Sequence, residues 1–234
     1  MTLSASASIS SPESGVRSPE VGQVALWLGR MTWRDALERQ RAVHAARVAG
    51  NCGDTLLLVE HPPTYTTGSG FKAEHLLATP QDLDGAEVVA ADRGGSITYH
   101  GPGQLVGYPI LDLAARGRDL HRYLRDLEEV LIRVLRRWGV DGRREAGKTG
   151  VFAGGGKIAS IGVRVSKWVS MHGFALNIST DVKAFARIVP CGLTGCVTTS
   201  VHGLSAERPT LGHARSAVVE AFAEVCGLRF REES

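Results

Sequence analysis

Two residues in the second half of the chain have the types and settings that chemistry needs. Lys157 follows Gly154, Gly155 and Gly156 and opens an alternation in which Lys157, Ala159, Ile161, Val163 and Val165 share one face of an expected strand. An ammonium at the head of an apolar face is costly to bury without a partner, so this side chain either snorkels at a sheet end or stands against something anionic. Cys191 is the candidate partner. It lies between Pro190 and Gly192, a rigid residue and a permissive one, which suits a side chain presented on a turn beside a cleft. His100 and His172 stand in glycine-rich strand ends and read either as polar rings near that cleft or as satisfied structural histidines. His44, His75, His121 and His213 sit in helical or polar contexts and read as surface or helix-terminal groups.

Hydrophobic periodicity gives the elements that must position these groups. A strand is expected at 24–28 and a helix at 32–48, with Trp33, Ala36, Leu37 and Val43 on its inner stripe. A short buried strand at 55–59 ends at His61, Pro62 and Pro63, because proline cannot extend the ladder. Residues 64–71 read as a polar glycine-containing loop and 87–91 as a strand; the five glycines and two prolines of 93–110 break up any helix. Leu120, Leu124, Leu127, Leu131, Val134 and Trp138 recur at helical spacing and predict a core-packing helix over 119–138. A hairpin follows, with strands at 158–165 and 168–176 and Ser166-Lys167 as its turn. A short helix at 181–186 leads to the cysteine loop, and Leu211, Ala214, Val218, Ala221, Phe222 and Val225 mark a final helix. Strands, hairpins and helices mixed without regular βαβ alternation predict an α/β (α+β) fold, a mixed sheet flanked by helices rather than a doubly wound parallel one.

At 234 residues, 43% hydrophobic and 22% charged, the chain can bury a full core as one domain, expected over 21–234. Residues 1–20 contain seven serines and neither the basic nor the apolar region of a signal peptide, and read as a disordered tail. A net charge of +3 with no dense basic block argues against nucleic-acid binding. Seven arginines between Arg122 and Arg144 read either as a solvated helix face or as a docking surface for an acidic partner. Four irregularly spaced cysteines read as reduced thiols of a cytoplasmic protein, and no apolar run approaches the roughly 20 residues a membrane span needs. The segment 142–149, GRREAGKT, matches a phosphate-binding pattern letter for letter, but the flanking elements that such a cradle requires, a buried strand before and a helix N-terminus after, are not expected there. Cys191, Cys196, His172 and His202 lack the C-x-x-C or H-x-x-x-H spacing that sets tetrahedral geometry, so no metal is expected.

Five blocks of sequence, in this order and spacing, resemble the lipoyl(octanoyl) transferase family: Arg93-Gly94-Gly95; Thr98-Tyr99-His100-Gly101-Pro102-Gly103-Gln104; Gly156 to Gly162; His172-Gly173-Phe174-Ala175-Leu176-Asn177; and Pro190-Cys191-Gly192. The resemblance covers roughly residues 24–227 and implies a fold like the catalytic domain of biotin and lipoate protein ligases. It implies movement of an octanoyl (or lipoyl) group from acyl carrier protein to a lysine of the lipoyl domains of 2-oxoacid dehydrogenases or the glycine cleavage H protein. No cofactor is implied. Cys191 would attack the carrier's thioester and keep the acyl group as a second thioester. Lys157 would depress the thiol pKa and then help move the proton of the attacking amine. Carried over residue by residue, Arg93, Gly94, Gly95, Ser96, Ile97, Thr98, Tyr99, His100, Ser160, Ile161, Gly162, Gly173, Phe174 and Ala175 would line the acyl tunnel and thioester site. The loop 67–71 is richer in glycine and poorer in charge than the family pattern. Three other readings stand beside this one: an ATP-dependent lipoate ligase on the same fold, a non-catalytic carrier-protein binder, and a cysteine hydrolase.

Overall fold

Two sheets meet along one wall of the molecule and leave a cleft between them. The computed structural model describes residues 22–189 and 196–233. The strands are β1 (Val24–Arg30), β2 (Thr55–Glu60), β3 (Thr64–Thr67), β4 (Glu87–Ala90), β5 (Ile97–His100), β6 (Gln104–Ile110), β7 (Val151–Ala153), β8 (Gly156–Ser166), β9 (Val169–Asn177) and β10 (Arg231–Glu233). The helices are α1 (Trp33–Val48), α2 (Leu120–Arg136), the single-turn α3 (Val201–Leu204) and α4 (Leu211–Cys226), with shorter 3-10 turns between them. The large sheet runs β10-β1-β2-β6-β9-β8-β7 and the small one β4-β3-β5. Parallel pairing of β1 with β2 and β10 beside antiparallel β2, β6, β9, β8 and β7 makes the large sheet mixed, as expected.

The helices form where the sequence supplies both a stripe and a cap. Thr32 caps α1 by accepting from the Asp35 amide, and Asp119 caps α2 by accepting from the Arg122 amide. α2 and α4 cover one face of the large sheet, burying Leu127, Leu131, Val134, Val218 and Phe222 against Leu56, Leu105, Phe174 and Leu176. Each such fully buried side chain contributes about 1.5–3 kcal/mol. α1 covers the opposite face through Ala36, against Leu57, Val59, Val106, Tyr108 and Ala175. The small sheet has its own core of Tyr65, Ile97, Tyr99, Phe185 and Ile188.

Several expectations are corrected. Residues 64–67 are strand β3, not loop, because Thr64 to Thr67 pair with both β4 and β5. Residues 97–110 hold two strands, and Pro109 is tolerated in β6 because pairing to β9 ends at Gly107, so its missing N–H faces no ladder partner there. The hairpin turn is Lys167-Trp168, one residue later than expected: Ser166 pairs with Val169, and both turn residues have positive φ, 52° and 61°. These are the left-handed conformations of a two-residue hairpin turn, here without the usual glycine or asparagine. β7, β10 and α3 were not foreseen; β7 is three residues long and borders Gly154 and Gly155.

Five of the seven arginines between 122 and 144 are ion-paired: Arg125, Arg133, Arg137, Arg143 and Arg144 meet Glu128, Glu129, Glu145, Glu220 and Glu224. That arrangement is a salt-bridged α2–α4 surface, which favours the helix-face reading over the docking one. Residues 1–21 and 190–195, and with them the expected tail and Cys191, lie outside the described residues.

Candidate active site

Lys157 stands at the head of β8 and is 2% exposed. Its Nζ donates to the Thr149 carbonyl at 2.9 Å and sits 5.6 Å from the centre of the Phe152 ring, an oxygen and a π face that both suit a cation. Thr149 is held in place from α2. Glu128, 1% exposed, accepts from Arg125, Arg144 and the Gly150 amide, so one buried carboxylate ties the loop 144–150 beneath the lysine. Gly150 leaves room there: a Cβ would lie 2.8 Å from the Lys157 Cε, and its φ of 116° suits glycine alone.

The chain on either side of residues 190–195 is held by main-chain hydrogen bonds. On entry, the Val189 amide donates to the His75 carbonyl and Ile188 bridges to Leu76. On exit, the Lys157 amide donates to the Val197 carbonyl at 2.7 Å and the Thr199 amide to the Lys157 carbonyl at 3.0 Å.

Lys157 opens into a cleft lined by Leu120 and Leu124 of α2, Gly147, Lys148 and Thr149, Gly94 and Gly95, and Ile161, Gly162 and Val163 of β8. This explains why Leu120 is 40% exposed although it continues the α2 stripe: its apolar surface faces the cleft rather than the core. It also places the end of GRREAGKT. That segment leads into β7, not a helix, and its Gly147, Lys148 and Thr149 border the lysine. The signal that could have found Leu120 and Leu124 was a helical stripe running past the first turn of a capped helix.

A second cleft adjoins the first across Gly95, Ile161 and Gly162. It lies between the large sheet and β5 and is lined by Arg93, Thr98, His100, Ser160, Gly173, Phe174 and Ala175, with Trp33, Val106, Tyr108 and His172. Ten of the fourteen residues carried over by resemblance therefore border this cleft, and Gly94 borders its neighbour. Ser96, Ile97 and Tyr99 border neither. Ile97 and Tyr99 alternate onto the small-sheet core, and the Ser96 hydroxyl lies 2.6 Å from His75 Nδ1. His75, the last residue of a 3-10 turn and so helix-terminal as expected, also holds this loop. The Thr98 hydroxyl, buried in the cleft wall, has no hydrogen-bond partner among the described residues.

Arg93 closes the roof. Its guanidinium donates to the carbonyls of Gly94, Ser96 and Thr66 and to the Thr66 hydroxyl. The loop 67–71 is glycine-rich for a steric reason: a Cβ on Gly68 would lie 2.4 Å from the Gly95 carbonyl oxygen. The two loops pack backbone to backbone, through Gly68 to Ser96, Ser69 to Arg93 and Gly70 to Gly95 hydrogen bonds.

Three imidazoles gather beside this cleft: His61 just after β2, His100 at the end of β5 and His172 in β9. His61, not singled out in the sequence, bridges the Met31 carbonyl and the Tyr108 hydroxyl. His172 takes a positive φ of 55° inside β9, packs over Trp33 at 6.2 Å and places Nε2 2.7 Å from Asp92 Oδ1. That carboxylate alone would favour an imidazolium. Burial, helped by the nearby Arg93 charge, instead lowers the His172 pKa to about 4, so the neutral ring donates Nε2–H, and Asp92 takes its charge partner from Arg164. Burial also lowers His61 to about 4 and His100 to about 3, the last with help from His61. Since these folded values lie below the ordinary 6.5, the unfolded chain binds more protons between them. The stabilisation is complete above pH 6.5 and lost as pH falls toward 4, by up to about 1.4 kcal/mol per pH unit per histidine. Urea midpoints should therefore fall between pH 6.5 and 5, above the range where most carboxylates titrate. A flat profile there would mean that the three rings are not buried as neutral groups.

The chain matches the family model "Lipoyl protein ligase A/B catalytic domain" over residues 33–223. It is 52% identical to the octanoyltransferase of Gloeobacter violaceus over 205 residues, 86% of this chain and 89% of the relative. To the octanoyltransferase of Geobacter metallireducens it is 50% identical over 195 residues, 83% of this chain and 89% of that one. Among solved structures, lipoate-protein ligase A bound with ATP superposes with a TM-score of 0.76 at 20% identity, covering 91% of this chain and 88% of that one, a likeness of fold. Together with four of the five sequence blocks, which contribute residues to the two adjoining clefts, these similarities show that the chain belongs to the lipoyl protein ligase A/B catalytic-domain family.

Proposed function

We propose that this protein is an octanoyltransferase acting in protein lipoylation, and that it works through a Cys191 acyl-thioester with Lys157 as the adjoining base and acid. The observation that carries the reading is the main-chain pairing of Lys157 with Val197 and Thr199, which joins a buried lysine to the segment that begins six residues beyond Cys191. In the first step the Cys191 thiolate attacks the carbonyl of the carrier's octanoyl thioester. A carbon–sulfur bond to Cys191 forms, the bond to the carrier breaks, and the carrier leaves as a thiolate that takes a proton. In the second, the amine of a lipoyl-domain lysine attacks the acyl-enzyme. A carbon–nitrogen bond forms, the bond to Cys191 breaks, and the amine's proton passes by way of Lys157 toward the departing thiolate. One thioester replaces another, so acyl activation is conserved and no nucleotide enters.

The octanoyl chain uses the two adjoining clefts, passing between a floor of Ser160, Gly162, Gly173 and Ala175 and a roof of Gly95 and Thr98 toward Leu120 and Leu124. Glycine suits that floor. A Cβ on Gly173 would stand 2.2 Å from the Gly107 carbonyl oxygen, so the backbone itself forms the surface. The donor is acyl carrier protein, the acceptors are lipoyl domains of 2-oxoacid dehydrogenase complexes or the glycine cleavage H protein, and the setting is the cytoplasm. No helix among the described residues is long and apolar enough to cross a membrane. Residues 21–234 act as one catalytic domain behind a serine-rich tail.

Incubated with octanoyl carrier and a lipoyl domain, dialysed and chelator-treated protein should octanoylate the acceptor lysine with no nucleotide added. Activity that returned only with Mg-ATP would favour a ligase instead.

A further inference from the structure

A line of hydrogen bonds runs from Arg93 in the roof of the acyl cleft to the strand of Lys157, through Gln104 and Asn177, a side-chain amide pair that borders neither cleft. Arg93 Nη2 donates to the Thr66 hydroxyl at 2.8 Å, and that hydroxyl lies 3.3 Å from His100 Nε2. His100 Nδ1 is 2.8 Å from Gln104 Oε1. Gln104 Nε2 donates to the Tyr99 carbonyl at 3.1 Å and to Asn177 Oδ1 at 2.9 Å. Asn177 Nδ2 donates to the Thr199 carbonyl at 3.0 Å, and the Thr199 amide returns to the Lys157 carbonyl.

The direction of every link is forced. Backbone carbonyls only accept, so the atoms facing Tyr99 and Thr199 must be amide nitrogens. That leaves Asn177 Oδ1 to accept from Gln104, and Gln104 Oε1 to accept from His100. His100 must then carry its proton on Nδ1, and as a neutral ring it has Nε2 free to accept from Thr66, whose own oxygen already accepts from Arg93. A neutral His100 agrees with its burial. Gln104 and Asn177 are opposed residues of β6 and β9, so the register of the large sheet sets the amide pair.

We propose that Gln104 and Asn177 are positioning residues of the transfer reaction, an amide bridge that locks the chain leaving the cysteine loop against the Lys157 strand and ties both to the glycine-loop roof of the acyl cleft. The inference rests on the function proposed above and deepens it. Neither side chain touches the acyl group. Asn177 acts by holding the Thr199 carbonyl, and Gln104 by orienting Asn177 while reading the tautomer of His100. Losing the bridge lets Thr199 drift from Lys157.

Asn177→Asp keeps the acceptor that Gln104 uses but loses the donor to Thr199; Asn177→Ser is small, neutral and too short for either. Each is compared with the wild type by intact-mass rates of acylation from octanoyl carrier, by the pH profile of Cys191 alkylation, and by amide exchange at Thr199. We expect acylation per folded molecule to slow about 10²-fold, as a displacement of about 1 Å does in other sites. KM for the carrier should change little, the alkylation profile should move to higher pH, and the Thr199 amide should exchange faster. Wild-type acylation and alkylation in a folded variant would overturn the proposal, as would a loss that tracks only the folded fraction. If Asn177→Asp does not fold, Asn177→Ser carries the comparison. If the wild type itself takes up no acyl group, the proposed function fails, and exchange at Thr199 alone decides whether Asn177 holds the strand: faster in the variants supports the bridge, unchanged removes it.

Discussion

Serine in place of Cys191 lowers transfer to a lipoyl domain by about 10⁴-fold or more while the far-ultraviolet spectrum and unfolding midpoint stay near wild type. The reason is the nucleophile. A cysteine thiol ionises near pH 8.5 in the open and lower beside a cation, whereas an alcohol needs a base poised against it. The proposed partner, Lys157, would stabilise an anion and shuttle one proton rather than strip an alcohol. A serine ester, if formed, would also give up the activation that the carrier's thioester delivers. Transfer assayed by octanoyl-lysine on the acceptor, at saturating carrier, gives the value. Undiminished activity in Cys191→Ser would end the covalent reading.

Methionine at Lys157 should slow turnover by about 10²- to 10⁴-fold, the range that a positioned proton carrier contributes. Methionine keeps most of the stem against Phe152 and removes the charge together with the hydrogen bond to the Thr149 carbonyl. Without the ammonium, the alkylation profile of Cys191 by iodoacetamide should move to higher pH. It has to be read on the Cys191 peptide, because the thiols of Cys52, Cys196 and Cys226 could also react. Burial raises Cys226 to about 11, so it should react slowest of these three. Arginine should recover part of the thiolate and little of the turnover, since a guanidinium holds its proton. Coinciding profiles for wild type and Lys157→Met would mean that the lysine does not stand beside the thiol.

What the sequence made legible follows from which signals are local. α2 and α4 carry apolar residues at helical spacing and strong caps, and they form where expected. β3 and β5 were hard to see because their cleft-side residues are threonines and a histidine, Thr64, Thr66, Thr98 and His100, whose burial exists only once the two sheets meet. The Lys167-Trp168 turn was misplaced by one residue because neither residue is the glycine or asparagine that normally announces positive φ. Leu124 packs against the core as expected and borders the cleft as well, whereas Leu120 is exposed to the cleft, because a helical stripe cannot say whether its apolar face meets protein or a ligand. Lys157 was legible as a misfit, a cation opening an apolar strand. Gln104 and Asn177 gave no such contrast, since their meaning lies in who donates to whom across β6 and β9.

The central claim is that Cys191 carries the acyl group between donor and acceptor. Intact-mass analysis of the protein after incubation with octanoyl carrier alone, with no acceptor, tests it most directly. The account predicts a gain of one octanoyl group, mapped to the Cys191 peptide, removed by hydroxylamine and discharged when a lipoyl domain is added. Binding of the carrier with no gain of mass, or an acyl group on any other residue, would contradict it.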